Sequence, residues 1–271
     1  MPAPVRSMEL PRNTLKAALR GDEVQIGMWL SLVDPIPAEI AAGAGFDWLL
    51  IDAEHAPNDV RTVLAQLYAV AGYRVAPVVR PVRGDAATIK QFLDIGVQTL
   101  LIPMVESAEQ AVELVRAVRY PPRGVRGVAT TRAARWGRVN DYWATVEDEV
   151  GLVVQIESVA GIANCDAILA VEGIDGIFIG PSDLAASLGR IGQPDHPDVQ
   201  DTVIDALQAA RRAGLAAGVL ATDPAMAERC ISAGANLVAV GVDTMLLARA
   251  TTDLVAGYRS RGQVTDESAV R

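Results

Sequence analysis

Residues 151–183 read GLVVQIESVAGIANCDAILAVEGIDGIFIGPSD, and their order decides the fold class. One apolar run, Gly151–Glu157, stops at Gln155 and Glu157. A second, Gly176–Pro181, stops at Ser182 and Asp183, with a helix-like stretch between them. Runs this short and this apolar suit parallel strands buried on both faces. Two parallel neighbours need a long crossover, so the stretch reads as a βαβ unit.

The same unit recurs outward in both directions. Further strands are expected at Gln25–Leu30, Trp48–Asp52, Arg74–Arg80, Thr99–Pro103, Ala216–Ala221 and Leu237–Gly241. Amphipathic segments lie between them, at Pro35–Gly45, Val60–Ala71, Ala86–Gly96, Ser107–Val118, Asp198–Gly214 and Pro224–Gly234. Gly45, Gly96, Gly214 and Gly234 each fall where a helix ends on a left-handed residue. Eight such units in 271 residues match the roughly 250 residues of a one-domain barrel. The expected fold is α/β, a single (β/α)8 TIM barrel over residues 21–260, with an N-terminal arm at 1–20 and a tail at 261–271. A doubly wound sheet would carry GxGxxG after its first strand, and this chain does not. The connection Arg119–Glu149 is much longer than the others and rich in arginine. Two readings stay open: a functional insertion on the face where βα loops gather, or a subunit contact.

Composition excludes several classes. With 51% hydrophobic and 21% charged residues the chain is neither disordered nor short of core material. A net charge of -9 repels nucleic acid and anionic membrane alike. The first residues lack a signal-peptide apolar run, and no stretch is long enough to span a membrane. Cys165 and Cys230 have no CxxC spacing, so a reducing cytoplasm is expected.

In barrels of this kind, polar residues at strand C-termini mark the catalytic face. Four strands stop this way: LLIDAEHAP gives Asp52, Glu54 and His55; VVRP gives Arg80; VQIE gives Gln155 and Glu157; IFIGPSD gives Ser182 and Asp183. Glu157 and Asp183 end neighbouring strands and could share one cation. With no Cys or His beside them, that site is hard and oxygen-rich, suited to Mg²⁺ or Mn²⁺. Asp183 could equally cap the helix it precedes. His55 follows two acids at a strand end and is read as a general base. His196 sits in a Pro-rich turn and is read as a loop residue. Asp94 lies late in a helix, where a carboxylate opposes the helix dipole; orienting His55 is one role that would explain it. The only lysines are Lys16 and Lys90, neither at a strand end, so no imine with a carbonyl substrate is expected.

These motifs closely resemble the class II, metal-dependent pyruvate aldolases of the HpcH/HpaI type, which include 4-hydroxy-2-oxoheptanedioate and 2-keto-3-deoxy-sugar-acid aldolases. The stretches that carry the resemblance are DWLLIDAEHAPND, APVVRP, KQFLDIGVQTLLIPMVE, RYPPRGVRGV, VVQIES, GIDGIFIGPSDLAASLG and AVGVDTMLLARA. It implies a phosphoenolpyruvate/pyruvate-type barrel that cleaves a 4-hydroxy-2-oxo acid reversibly to pyruvate, or a close 2-oxo acid, and an aldehyde, by way of an enolate. It further implies a divalent cation (Mg²⁺, Mn²⁺ or Co²⁺) on Glu157 and Asp183, with no organic cofactor. Gln155, Ser182 and Asp183 would contact the 2-oxo acid, His55 would be the base with Asp94 raising its basicity, and Arg80 would stabilise the enolate. A homohexamer, a trimer of dimers with active sites near subunit contacts, is implied as well. Competing readings are other enolate chemistry, such as oxaloacetate decarboxylation or a macrophomate-synthase-like reaction, and a barrel without activity.

Overall fold

The computed structural model describes residues 8–267. Eight parallel strands close into a barrel in sequence order: β1 Gln25–Leu30, β2 Trp48–Asp52, β3 Ala76–Arg80, β4 Thr99–Ile102, β5 Gly151–Ile156, β6 Gly176–Ile179, β7 Ala216–Leu220 and β8 Leu237–Val242. In chain order the helices are α1 Thr14–Ala18, α2 Pro35–Ala42, α3 Val60–Ala69, α4 Ala86–Asp94, α5 Ala108–Val118, α6 Tyr142–Thr145, α7 Val159–Ala163, α8 Cys165–Leu169, α9 Pro181–Ser187, α10 Pro197–Arg212, α11 Pro224–Ser232 and α12 Asp243–Glu267. The fold is the (β/α)8 barrel expected from the alternation. Among the described residues no helix is long and apolar enough to cross a membrane.

Local chemistry sets the ends of these elements. Asp34, Asp59, Asp85, Ser107 and Asp223 each cap a helix by accepting from its first free N–H groups. The glycines at 45, 96, 214 and 234 all hold positive φ, which supports their reading as C-terminal caps. Strands β4, β5 and β6 stop before the polar or proline residue that closes each sequence run. Pro103 cannot extend a ladder, Pro181 opens α9, and Glu157 turns toward the barrel mouth.

The described part of the arm expected over residues 1–20 packs against the barrel. Leu15 and Leu19 are buried in one cluster with Trp29, Trp48, Leu101 and Phe178, so α1 stoppers the N-terminal end of the barrel. Asn13 fastens it, donating to Thr99 Oγ1 at 2.9 Å and to the carbonyl of Glu149 at 3.1 Å. At the other terminus, the boundary expected at 260 falls inside α12.

The long segment after α5 also departs from one expectation. Because it follows a helix, it joins α5 to the start of β5 and lies at the N-terminal face. The functional-insertion reading placed it at the face of the strand C-termini, which is the opposite end.

Candidate active site

Parallel register builds the mouth of the barrel. Asp52 and Arg80 are paired residues at the ends of β2 and β3. Arg80 Nε donates to Asp52 Oδ1 at 3.0 Å, and its second terminal nitrogen donates to Oδ2 at 2.7 Å. The remaining guanidinium nitrogen lies 2.9 Å from Glu54 Oε2, and the plane sits 5.2 Å from the Trp29 ring centroid. A fork held at three corners and over an aromatic face is fixed in direction, which a lysine would not be.

Asp52 also orders the loop that carries His55. Its Oδ1 accepts from the backbone N–H of Glu54 at 3.0 Å, and its carbonyl accepts from Asn58 Nδ2 at 2.7 Å. The His55 side chain stays 67% exposed, with Nε2 at 3.8 Å from Glu54 Oε2. It therefore stands at the mouth, free to meet whatever enters.

Across the mouth, Glu157 is buried and accepts from the backbone N–H of Met104 at 3.0 Å and from Gln155 Nε2. Gln155 is buried too, and its Oε1 has no partner. Burial pushes Glu157 up to about 7, with the nearby charges of Asp183 and Glu54 adding to the effect and the Met104 N–H opposing it. Glu54 is raised as well, chiefly by burial, with Arg80 opposing. Asp183 lies in the first turn of α9, whose cap residue is Gly180 and makes no side-chain cap bond. The carboxylate of Asp183 is thus not the cap that one reading of the sequence allowed. The first N–H groups of α9 have no acceptor within their own helix.

Four carboxylates (Asp52, Glu54, Glu157 and Asp183) meet a single guanidinium here. Burial and repulsion keep Glu157 reluctant to ionise, as in a cation site considered without its cation. Among the described residues, no three His, Cys, Asp or Glu side chains are grouped so that they could hold a metal ion by themselves. Glu157 and Asp183 would supply two oxygens, leaving coordination positions for substrate and water, as Mg²⁺ commonly does. The donor set fits a hard divalent ion.

The raised Glu157 gives a pH-dependent expectation. Without metal, the folded chain keeps that proton between the ordinary 4.5 and about 7, while the unfolded chain has released it. The associated stability is full below 4.5 and is lost as pH rises through about 7, at most about 3 kcal/mol. A divalent cation favours the ionised form and should flatten the decline. Melting curves from pH 5 to pH 8 with and without Mg²⁺ check this; identical slopes would remove Glu157 from the metal site.

Gly180 leaves room for that carboxylate. A Cβ there would lie 2.3 Å from Glu157 Oε2 and 2.9 Å from Gln155 Nε2. Gly180→Ala should therefore displace Glu157 and weaken metal binding by at least about tenfold, as disturbing the support of a ligand typically does. Calorimetric titration with Mn²⁺ measures it, and unchanged affinity would show that the carboxylate does not ligate.

Asp94 is the expected site residue that the chain does not bring to this mouth. It closes α4, which runs from the C-terminal face to the N-terminal face, and it accepts there from Arg126 at 3.2 Å. Within one chain it cannot orient His55. The sequence had named Asp52 and Glu54 without giving them a role, and had passed over Trp29 and Gly180. The adjacent strand ends of Asp52 and Arg80 were the signal for the first pair; only coordinates could reveal the other two.

Residues 25–250 match the model of the HpcH/HpaI aldolase/citrate lyase family. A hydroxypyruvate/pyruvate aldolase of Pseudomonas aeruginosa is 56% identical over 93% of this chain and 95% of its own length. A 2-keto-3-deoxy-L-rhamnonate aldolase of Klebsiella pneumoniae is 55% identical over 92% of this chain and 94% of its own. Among solved structures, a HpcH/HpaI aldolase/citrate lyase family protein from Burkholderia cenocepacia superposes with a TM-score of 0.88 at 43% identity, covering 91% of this chain and 99% of that one. With a matching family model over most of its length and relatives identical at more than half of the aligned positions, the chain belongs to the HpcH/HpaI aldolase/citrate lyase family.

Proposed function

We propose that this protein is a divalent-metal-dependent aldolase that cleaves a 4-hydroxy-2-oxo acid reversibly to pyruvate, or a close 2-oxo acid such as hydroxypyruvate, and an aldehyde. The observation that carries the reading is the placement of Arg80, locked between Asp52 and Glu54, across the mouth from the Glu157–Asp183 pair. The relatives named for pyruvate and keto-deoxy-sugar-acid aldol chemistry support the reaction class.

Glu157 and Asp183 would hold the cation, which when bound polarises the 2-oxo group of the substrate and offsets negative charge on its oxygen. The substrate carboxylate meets the free N–H groups at Ser182 and Asp183. Gln155 offers its amide to the same end of the molecule, and Asp183 serves both cation and substrate. His55 takes the proton from the C4 hydroxyl. The electron pair of that O–H bond forms the aldehyde carbonyl as the C3–C4 bond breaks, and the pair from C3–C4 becomes the enolate of pyruvate. Arg80 stabilises charge on the enolate oxygen, and a proton returns to C3 to complete pyruvate. Synthesis reverses each step.

Neither lysine suits the alternative imine route. Lys16 Nζ donates to the Val150 carbonyl at 2.6 Å and faces Asp175 at 3.6 Å, at the closed end of the barrel; Lys90 lies in α4. A chelator should therefore abolish turnover, Mg²⁺, Mn²⁺ or Co²⁺ should restore it, and borohydride with pyruvate should leave the chain unmodified. Covalent trapping on either lysine would overturn the mechanism.

Asp94 retains its proposed role only if it reaches His55 of a second copy, because one chain holds the two at opposite ends. A homo-oligomer, a trimer of dimers, would allow that. It is supported by α12, where Met245, Leu246, Leu247, Leu254 and Val255 are exposed, and by exposed Ile36 and Ile40 on α2. Apolar surface of this kind on a long helix is characteristic of a subunit contact.

A further inference from the structure

At the N-terminal face, away from the candidate active site, a cavity of about 290 Å³ opens between α3, α4 and the segment 119–149. Leu67, Val70, Leu93 and Val97 make its walls apolar, and three arginines, Arg126, Arg132 and Arg135, enter the lining. Arg126 is 1% exposed. One of its terminal nitrogens is given to Asp94, and its face lies 4.6 Å from the Tyr120 ring centroid. Its Nε is buried with no partner. Arg132 donates to the carbonyl of Ile95 and stacks 4.5 Å from the Tyr68 ring centroid, and its Nε is also buried and unpartnered.

Among the described residues neither Arg132 nor Arg135 forms an ion pair, whereas Arg123 and Arg126 of the same segment each do. The one carboxylate in the wall, Glu149, is turned to the backbone N–H of Asn13. Arg135 and Trp136 are held at φ of 48° and 55°, a left-handed conformation that non-glycine residues adopt at a cost. Burial, followed by repulsion from Arg132, makes Arg135 easier to deprotonate than an ordinary arginine. Gly96 clears the way for Arg132: a Cβ there would lie 2.6 Å from the guanidinium. The backbone thus brings two guanidinium groups that lack a carboxylate partner among the described residues, and the unpartnered Nε of a third, to one apolar hollow. Buried donors left without acceptors are costly, and an anion would satisfy them.

We propose that this cavity binds a small organic carboxylate with an apolar body, its carboxylate held by Arg132 and Arg135 with Arg126 Nε behind them, and its body against the wall of α3 and α4. Within one chain the cavity lies at the opposite end of the barrel from the mouth that would take the 2-oxo acid, and none of its three arginines has a part in the aldol reaction as written.

Benzoate is the probe, titrated calorimetrically into the Mg²⁺-saturated oligomer, with benzamide and inorganic phosphate as comparisons. Benzoate should bind, benzamide at least tenfold more weakly for want of charge, and phosphate at least tenfold more weakly for want of an apolar body. Arg132→Gln and Arg135→Gln should each weaken benzoate at least tenfold. Ala133→Leu, which fills the cavity and leaves the arginines in place, should do the same and so covers the case in which an arginine variant fails to fold. Arg80→Ala should leave benzoate affinity unchanged. The proposal is overturned if benzoate does not bind, if benzamide or phosphate matches it, or if its binding is lost with Arg80 instead of with Arg132 and Arg135.

Discussion

Arg80→Ala is expected to lower turnover by about 10²–10³-fold, the loss typical when one preorganised donor to a developing oxyanion is removed. The effect should fall on kcat more than on KM, because the enolate charge exists only after the C3–C4 bond begins to break. Proton exchange at the pyruvate methyl passes through the same enolate and should slow in parallel. The variant also strips a cation from between Asp52 and Glu54, both held close to it in the native chain. Breaking a buried pair by removing one partner costs about 3–5 kcal/mol of stability, so rates must be taken on the folded fraction at saturating metal. Arg80→Lys separates the two effects. Its charge should recover much of the stability, but a point charge cannot keep the fork directed at the substrate oxygen, so catalysis should return only in part. Full activity in Arg80→Lys would reduce Arg80 to a structural counter-ion, and full activity in Arg80→Ala would remove it from the mechanism.

The same residue illustrates what could be read before any coordinates. Strands β1 and β2 run over the stretches expected from their apolar runs, because a buried parallel strand needs little else to be recognised. Strand β3 begins at Ala76, two residues later than expected, where its ladder with Trp48 starts. Register is a property of two strands together, and neither sequence alone contains it. The mouth was legible in Arg80, Gln155, Glu157, Ser182 and Asp183 because each closes an apolar run. The Arg80 clamp and the space that Gly180 leaves for Glu157 were not, because they arise from contacts between separate strands. The face of the long segment was legible and misassigned. Once Ser107–Val118 is read as a helix, whatever follows it must lie at the N-terminal end. The same reasoning places Asp94, at the close of α4, at that end too.

His55→Ala should slow aldol cleavage by about 10²–10⁴-fold, the range of a positioned general base. Pyruvate affinity should change little, because the groups proposed to hold the substrate lie on β5 and α9 and not on the loop after β2. Asp94→Asn should act in the same direction and more weakly, since His55 would remain but lose basicity and alignment. How the two combine tests where Asp94 acts. If it reaches His55 from a second copy, each variant alone is impaired at every site. Co-expressed His55→Ala and Asp94→Asn chains would instead form some sites in which both wild-type residues meet, and activity per site should exceed the mean of the two pure variants. If the two acted within one chain, every mixed site would keep one defect and no such gain could occur, but α4 carries Asp94 to the far face of its own barrel. The measurement is deuterium incorporation at the pyruvate methyl, followed by NMR beside aldol cleavage for each variant and for the mixture. Unimpaired exchange and cleavage in His55→Ala would assign the base to another group, with Glu54, 3.8 Å from the imidazole and raised by burial, the next residue to substitute.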